Sequence, residues 1–114
     1  MMAENAALQK TLNALGMCAG ARKLIIGTPM ICEAMRKPTK PFLVVSAEDN
    51  AGNTAKKLSD KCDFYNVPMV TVPVDGERLA AAVGKQSRVA AVAITDPNLC
   101  KLVRATLQPE KNER

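Results

Sequence analysis

Glu48 and Asp49 are adjacent carboxylates that follow directly on a short apolar run, Pro41-Phe42-Leu43-Val44-Val45-Ser46-Ala47. The run suits a strand buried on both faces. Acids at the C-terminal end of such a strand stand where α/β enzymes carry catalytic groups. General acid–base work would also need a titratable partner, a nucleophile or a metal beside them. The chain has no histidine, and its four cysteines, at 18, 32, 62 and 100, form no Cys-x-x-Cys pair. That removes His-dependent triads, the usual zinc spacings and thioredoxin-type redox chemistry. No Gly-x-Gly-x-x-Gly follows a strand and no Walker loop occurs, so nucleotide-binding classes lack a motif too. The two acids therefore read as caps that complement the dipole of the helix after them. No enzyme, cofactor or metal is expected, and the cysteines, set among apolar neighbours, read as buried free thiols.

Charge and aromatic content say more. Lys and Arg number 16 against 11 Asp and Glu, a net +5 over 114 residues, and a moderate basic excess suits a polyanionic partner. The aromatic residues are Phe42, Phe64 and Tyr65, all inside apolar patterns. No ring is then expected at the surface to stack an unpaired base. A basic domain without such rings would recognise folded RNA by shape, phosphates and base edges. No apolar run approaches the roughly 20 residues of a membrane span. Met1-Met2-Ala3-Glu4-Asn5 lacks the basic segment and apolar core of a secretory signal. A cytoplasmic location without disulfides is expected.

Helices and strands must alternate to hold these residues. Leu8, Leu12, Leu15 and Ala19 share one face of a helix over Glu4 to Ala19 that stops near Gly20. Lys23 to Ile26 is a strand, and Thr28 as N-cap with Pro29 in the first helical position starts a second helix, ended before Pro38. After the central strand, Ala55, Leu58, Cys62 and Tyr65 form an apolar stripe, with Lys56, Lys57, Asp60 and Lys61 falling largely on the other face. Met69 to Val72 is a strand, and Asp75 caps a short helix through Leu79, Ala82 and Val83 that Gly84 closes. Lys85 to Arg88 is a polar loop before a buried strand, Val89 to Ile94. Asp96-Pro97 opens the last helix, with Leu99, Leu102, Val103 and Leu107 inward. Residues 1–107 then form one domain and 108–114 a polar tail. The fold class is α/β, a three-layer α/β/α sandwich around a four-stranded sheet. Helical crossovers alone would make that sheet parallel throughout.

Three segments carry a family resemblance: Leu15 to Gly27 (LGMCAGARKLIIG), Ala47 to Leu58 (AEDNAGNTAKKL) continuing through Tyr65-Asn66-Val67-Pro68, and Leu79 to Lys85 (LAAAVGK) with Arg88 and Ala91 to Asp96. Together they resemble the RNA-binding ribosomal proteins of the L-seven-Ae and L-thirty-e superfamily, particularly its bacterial YlxQ-like members. The resemblance implies a mixed rather than parallel sheet, and it takes precedence over the crossover rule. It implies binding to structured, ribosome-associated RNA, above all kink-turns, in which tandem sheared G·A pairs follow a bulge. The positions so implied are Lys23, Gly27, Thr28, Pro29, Met30 and Glu33, with Val83, Gly84, Lys85, Gln86, Ser87 and Arg88. No membrane, small-molecule substrate or oligomer is implied.

The chain departs from the family pattern at its recognition motif. Kink-turn binders carry Gly-x-Asn-Glu-x-x-Lys, whereas this chain has Gly27-Thr28-Pro29-Met30-Ile31-Cys32-Glu33. Proline offers no donor and methionine no carboxylate to a guanine edge, and the phosphate-binding lysine has become an acid. Two readings stay open: an RNA binder with a divergent motif, and a protein-interaction module that kept the fold and uses Pro29 and Met30 as an apolar contact.

Overall fold

A computed structural model describes residues 2–107; position 1 and the tail expected over 108–114 lie outside the described residues. Along the chain come α1 (Met2–Gly20), β1 (Leu24–Ile26), α2 (Thr28–Met35), β2 (Leu43–Ala47), α3 (Gly52–Tyr65), β3 (Met69–Val72), α4 (Gly76–Ala82), β4 (Ala91–Ile94) and α5 (Pro97–Leu107). The strands lie in the order β1-β4-β2-β3. β4 is antiparallel to both β1 and β2, and β2 is parallel to β3. The sheet is mixed, as the family resemblance implied and the crossover rule did not. The reason lies after β3. α4 has only seven residues, and the loop behind it turns back, with the Val89 N–H donating to Gly76 O at 3.0 Å. The chain re-enters the sheet from the edge it had just left, so β4 runs the other way.

All five residues of β2 and all four of β4 are buried, because helices cover both faces of the sheet. Leu12, Leu15, Val45, Val72, Leu79, Val92, Ile94 and Val103 fill the layer under α1, α4 and α5. Ile31, Met35, Val44, Leu58, Cys62, Ala91 and Ala93 fill the layer under α2 and α3. Val44 and Val45 thus go to opposite faces, as the two-residue strand period requires. Each such side chain contributes about 1.5 to 3 kcal/mol by leaving water. Cys18, Cys62 and Cys100 are buried and Cys32 is half-buried, all as free thiols.

Some details differ from the pattern in the sequence. Lys23 precedes β1, and β4 begins at Ala91 rather than Val89. The left-handed residue after α1 is Arg22, with φ 61°, and not Gly20. Phe64 and Leu102 are exposed, because each has a neighbour, Tyr65 or Val103, that takes the inward position. Successive side chains on a helix point about 100° apart, so the partner of an inward residue at the margin of the buried stripe turns outward. No helix among the described residues is long and apolar enough to cross a membrane.

Candidate nucleic-acid interface

One edge of the sheet gathers the C-terminal ends of β1, β2 and β3 and the start of β4. Main-chain bonds tie these ends together. Gly27 N–H donates to Ala91 O at 3.0 Å, Ala47 N–H to Ala90 O at 2.8 Å, and Glu48 N–H to Val74 O at 2.9 Å. The turn after β1, the turn after β2 and the loop before β4 therefore form one continuous surface. Gly27, which opens the turn carrying Thr28, Pro29 and Met30, is bonded to the first residue of β4, and the loop Gly84 to Arg88 leads into that strand. Two residues named with them stand apart. Val83 is 6% exposed, inside the core layer under α4. Lys23 lies at the other end of β1, its carbonyl accepting from Thr95 N–H at 3.0 Å. Four residues of extended chain separate it from Gly27, about 13 Å.

The start of α2 is unusual. Gly27, not Thr28, is its N-cap, with φ 99° and ψ 139°, a conformation that a side chain strains. No side chain caps the helix, and Pro29 occupies its first turn. Thr28 is already helical, and its hydroxyl is buried without a hydrogen-bond partner among the described residues. Pro29 and Met30 are exposed, and one turn later the exposed Glu33 meets Arg36 at 3.3 Å. The start of α3 likewise has Ala51 as N-cap and no side-chain cap. By contrast, Asp75 Oδ1 accepts from Arg78 N–H at 2.8 Å on α4, and Asp96 Oδ2 from Leu99 N–H at 2.9 Å on α5. Both uncapped starts lie on the gathered edge, where free amides and the positive ends of two helix dipoles favour anions.

Asp49 does not cap α3, as its position before that helix suggested. Its Oδ1 instead accepts from Gly76 N–H at 3.0 Å and pairs with Arg88 Nη2 at 2.9 Å, while Arg88 also donates to Asp49 O at 3.1 Å. Gly76 is required here: a Cβ would stand 2.6 Å from Arg88 Cγ. Arg88 thus pins the loop before β4 to the β2–α3 turn and arrives with its charge already balanced. Lys85 is exposed, with its backbone N–H closing α4 onto Ala80 O at 2.8 Å. Gly84 before it has φ 79°. The adjacent carboxylates are therefore divided, Asp49 structural and Glu48 exposed, with no metal-holding group of His, Cys, Asp or Glu among the described residues.

Residues 9–103 match the Ribosomal protein L7Ae/L30e/S12e/Gadd45 family. The chain belongs to that family. It is 39% identical over 82 residues, 72% of this chain and 79% of the relative, to the RNA-binding protein YlxQ of Bacillus subtilis. It is 32% identical over 100 residues, 88% and 93% of the two chains, to the RNA-binding protein YlxQ of Enterococcus faecium. A solved structure from Bacillus halodurans, of a protein described as of unknown function, superposes with a TM-score of 0.76 at 33% identity, covering 87% of this chain and 97% of that one. The Giardia lamblia 15.5kD RNA binding protein shares the fold, with a TM-score of 0.72 at 17% identity over 94% and 89% of the chains. Membership in this family calls for no enzyme chemistry at Glu48 and Asp49.

Proposed function

We propose that the protein binds structured RNA with the edge formed by the starts of α2 and α3 and the loop Gly84 to Ser87. The observation that carries this reading is the meeting of two helix starts without side-chain caps on one surface, in a chain whose relatives are named RNA-binding proteins. Amides of Thr28 and Met30, and of Gly52, Asn53 and Thr54, meet phosphates, as donors at helix N-termini do. Lys85 adds a mobile cation, and Gly84 lets the backbone come close. Pro29 and Met30 stand where base edges would be read, so recognition leans on shape and phosphates more than on hydrogen bonds to bases. A kink-turn-like bend in ribosomal RNA is the target this favours, with lower selectivity for the G·A pairs than the family motif gives. Ribosome association follows from that target.

A mobility-shift titration tests this with a kink-turn RNA, a plain duplex and a ribosomal RNA fragment at several salt concentrations. The bent RNAs should bind ahead of the duplex, and log affinity should fall with log salt at a slope of roughly 3 to 5. Lys85→Ala should flatten that slope by about one unit. No binding to any of them at low salt would overturn the reading. The exposed pair Pro29 and Met30 would then favour the second reading, a protein contact.

A further inference from the structure

Every aromatic residue of the chain, Phe42, Phe64 and Tyr65, stands at the edge of the sheet opposite the proposed structured-RNA surface. Phe42 leads into β2, its N–H donating to O of Ile94, the last residue of β4, at 2.8 Å. Phe64 and Tyr65 end α3, just before the turn into β3. The rings are not hidden. Phe64 is 77% exposed and Phe42 40% exposed, against the expectation that all three would be buried.

Isolated exposed apolar residues are ordinary. This cluster differs in its edge-to-face ring pair and in the cation against it. The Phe64 ring meets Tyr65 edge to face, with centroids 4.8 Å apart and planes at 89°. Lys40 Nζ lies 5.2 Å from the centroid of the Tyr65 ring, a cation–π distance. Lys40 is itself held by donating to Lys37 O at 2.8 Å. Lys61 is three residues before Phe64 and four before Tyr65 on α3, so helical spacing puts it beside both. Asp60, four residues before Phe64, is paired with Lys56 at 3.5 Å. Lys40 is thus against a ring, Lys61 is beside the rings by helical spacing and Lys37 is next to Lys40, with Asp63 as the adjoining acid. An apolar protein dock would show a continuous hydrophobic patch rather than single rings among lysines. An exposed ring such as Phe64 next to cations is instead what single-stranded nucleic acid uses, a base on the ring and its phosphates on the cations.

We propose that this pole is a second RNA site, one that takes unpaired nucleotides. A base stacks on Phe64, and the flanking phosphates meet Lys61 and the Lys37–Lys40 pair. The site is separate from the structured-RNA surface and does not depend on it. An RNA held at one edge of the sheet could then be gripped at the other by a single-stranded flank.

The probe is a fluorescein-labelled oligonucleotide of A and C only, which cannot pair with itself, titrated at low salt and followed by anisotropy. Emission of Tyr65 supplies a local readout, because the chain has one tyrosine and no tryptophan. Binding should quench that emission. Phe64→Ala should weaken binding about tenfold, while Phe64→Trp keeps or strengthens it. Phe64→Leu, which preserves apolar area without a ring, should behave like Phe64→Ala. Lys61→Ala should flatten the salt slope by about one unit. Phe64→Ala should weaken a kink-turn RNA that lacks a single-stranded flank far less than it weakens the oligonucleotide, which separates this site from the other surface. Absence of oligonucleotide binding, wild-type affinity in Phe64→Ala or Phe64→Leu, or an equal loss in Phe64→Ala on the kink-turn RNA without a flank would each overturn the proposal.

Discussion

Arg88 and Asp49 are 39 residues apart in the chain and meet at 2.9 Å, with the Gly76 N–H bonded to the same carboxylate oxygen at 3.0 Å. The pair fastens three loops of the recognition edge to one point. Arg88 is thereby a positioning residue for Lys85, Gln86 and Ser87 rather than a free cation. Arg88→Ala should change the RNA salt slope by less than half a unit, where Lys85→Ala removes about one. Both side chains are half-exposed, so the loss in urea unfolding should be small, about 0.2 to 1 kcal/mol. Asp49→Ala should cost more, about 1 to 3 kcal/mol, because it also strips the Gly76 N–H of its acceptor. A full unit of slope lost in Arg88→Ala would show that Arg88 leaves Asp49 for phosphate.

Thr28 gives a second expectation. Its hydroxyl is buried with no partner among the described residues, and an unsatisfied buried hydroxyl is unfavourable. Thr28→Val keeps the shape and removes that group. The variant should be more stable by about 1 kcal/mol in urea melts. Its RNA affinity should fall if the hydroxyl finds its partner on RNA, and stay level if the orphan serves no ligand. A destabilised variant would show that the hydroxyl is already satisfied in the protein.

What the sequence made legible, and what it hid, divides by range. β2 and β3 were readable because an apolar run bounded by turn residues is a local signal, and Asp75 and Asp96 because an N-cap bonds three residues ahead. Asp49 was misread for the same reason. It stands before α3 as a cap would, but its partners are 27 and 39 residues away. Thr28 looked like the cap of α2 because threonine is a good one, yet Gly27 takes that place in a conformation that favours glycine. Phe64 looked buried because it adjoins Tyr65, and composition cannot say which of two neighbours turns inward. Of the proposed site, the sequence carried the segments that line it. It could not show that Lys23 lies a strand's length from the rest, since that needs the direction of β1.

Cys62 is buried against the β2 side of α3. Desolvation, with smaller contributions from Asp63 and Cys32, pushes its thiol from 9.0 up to about 11. A pKa raised by folding means that the native state holds the proton more tightly than the unfolded chain. The associated stability is fully present below pH 9.0 and is lost as pH rises towards about 11. Wild type should therefore lose urea resistance across that interval more steeply than Cys62→Ala. Burial also raises the Cys18 thiol, so a shallower dependence should persist in the variant. Cys62→Ser should cost about 1 to 3 kcal/mol. In thiol-labelling of the folded protein, half-buried Cys32 should react first. Prompt labelling of Cys62 would contradict its burial.

The departures at Pro29, Met30 and Glu33 can be reversed together. Pro29 and Met30 are exposed at the start of α2, and Glu33 one turn later pairs with Arg36 at 3.3 Å. Pro29→Asn with Met30→Glu restores the polar pair that reads base edges, each good contact being worth about 1 to 3 kcal/mol. Glu33→Lys removes an anion from the helix proposed to face phosphate, adds a cation and releases Arg36 from its partner. At several ångströms near a surface, that exchange is worth on the order of 1 kcal/mol. The triple variant should bind a standard kink-turn at least about tenfold more tightly than wild type. A plain duplex should gain far less, because phosphate contacts carry no sequence information. The helix tolerates the loss of Pro29, since the first turn forms without a proline. A folded triple variant with equal gains on both RNAs would mean that only charge was added. No gain on either would mean that RNA does not meet the start of α2, leaving the exposed Pro29 and Met30 to a protein contact.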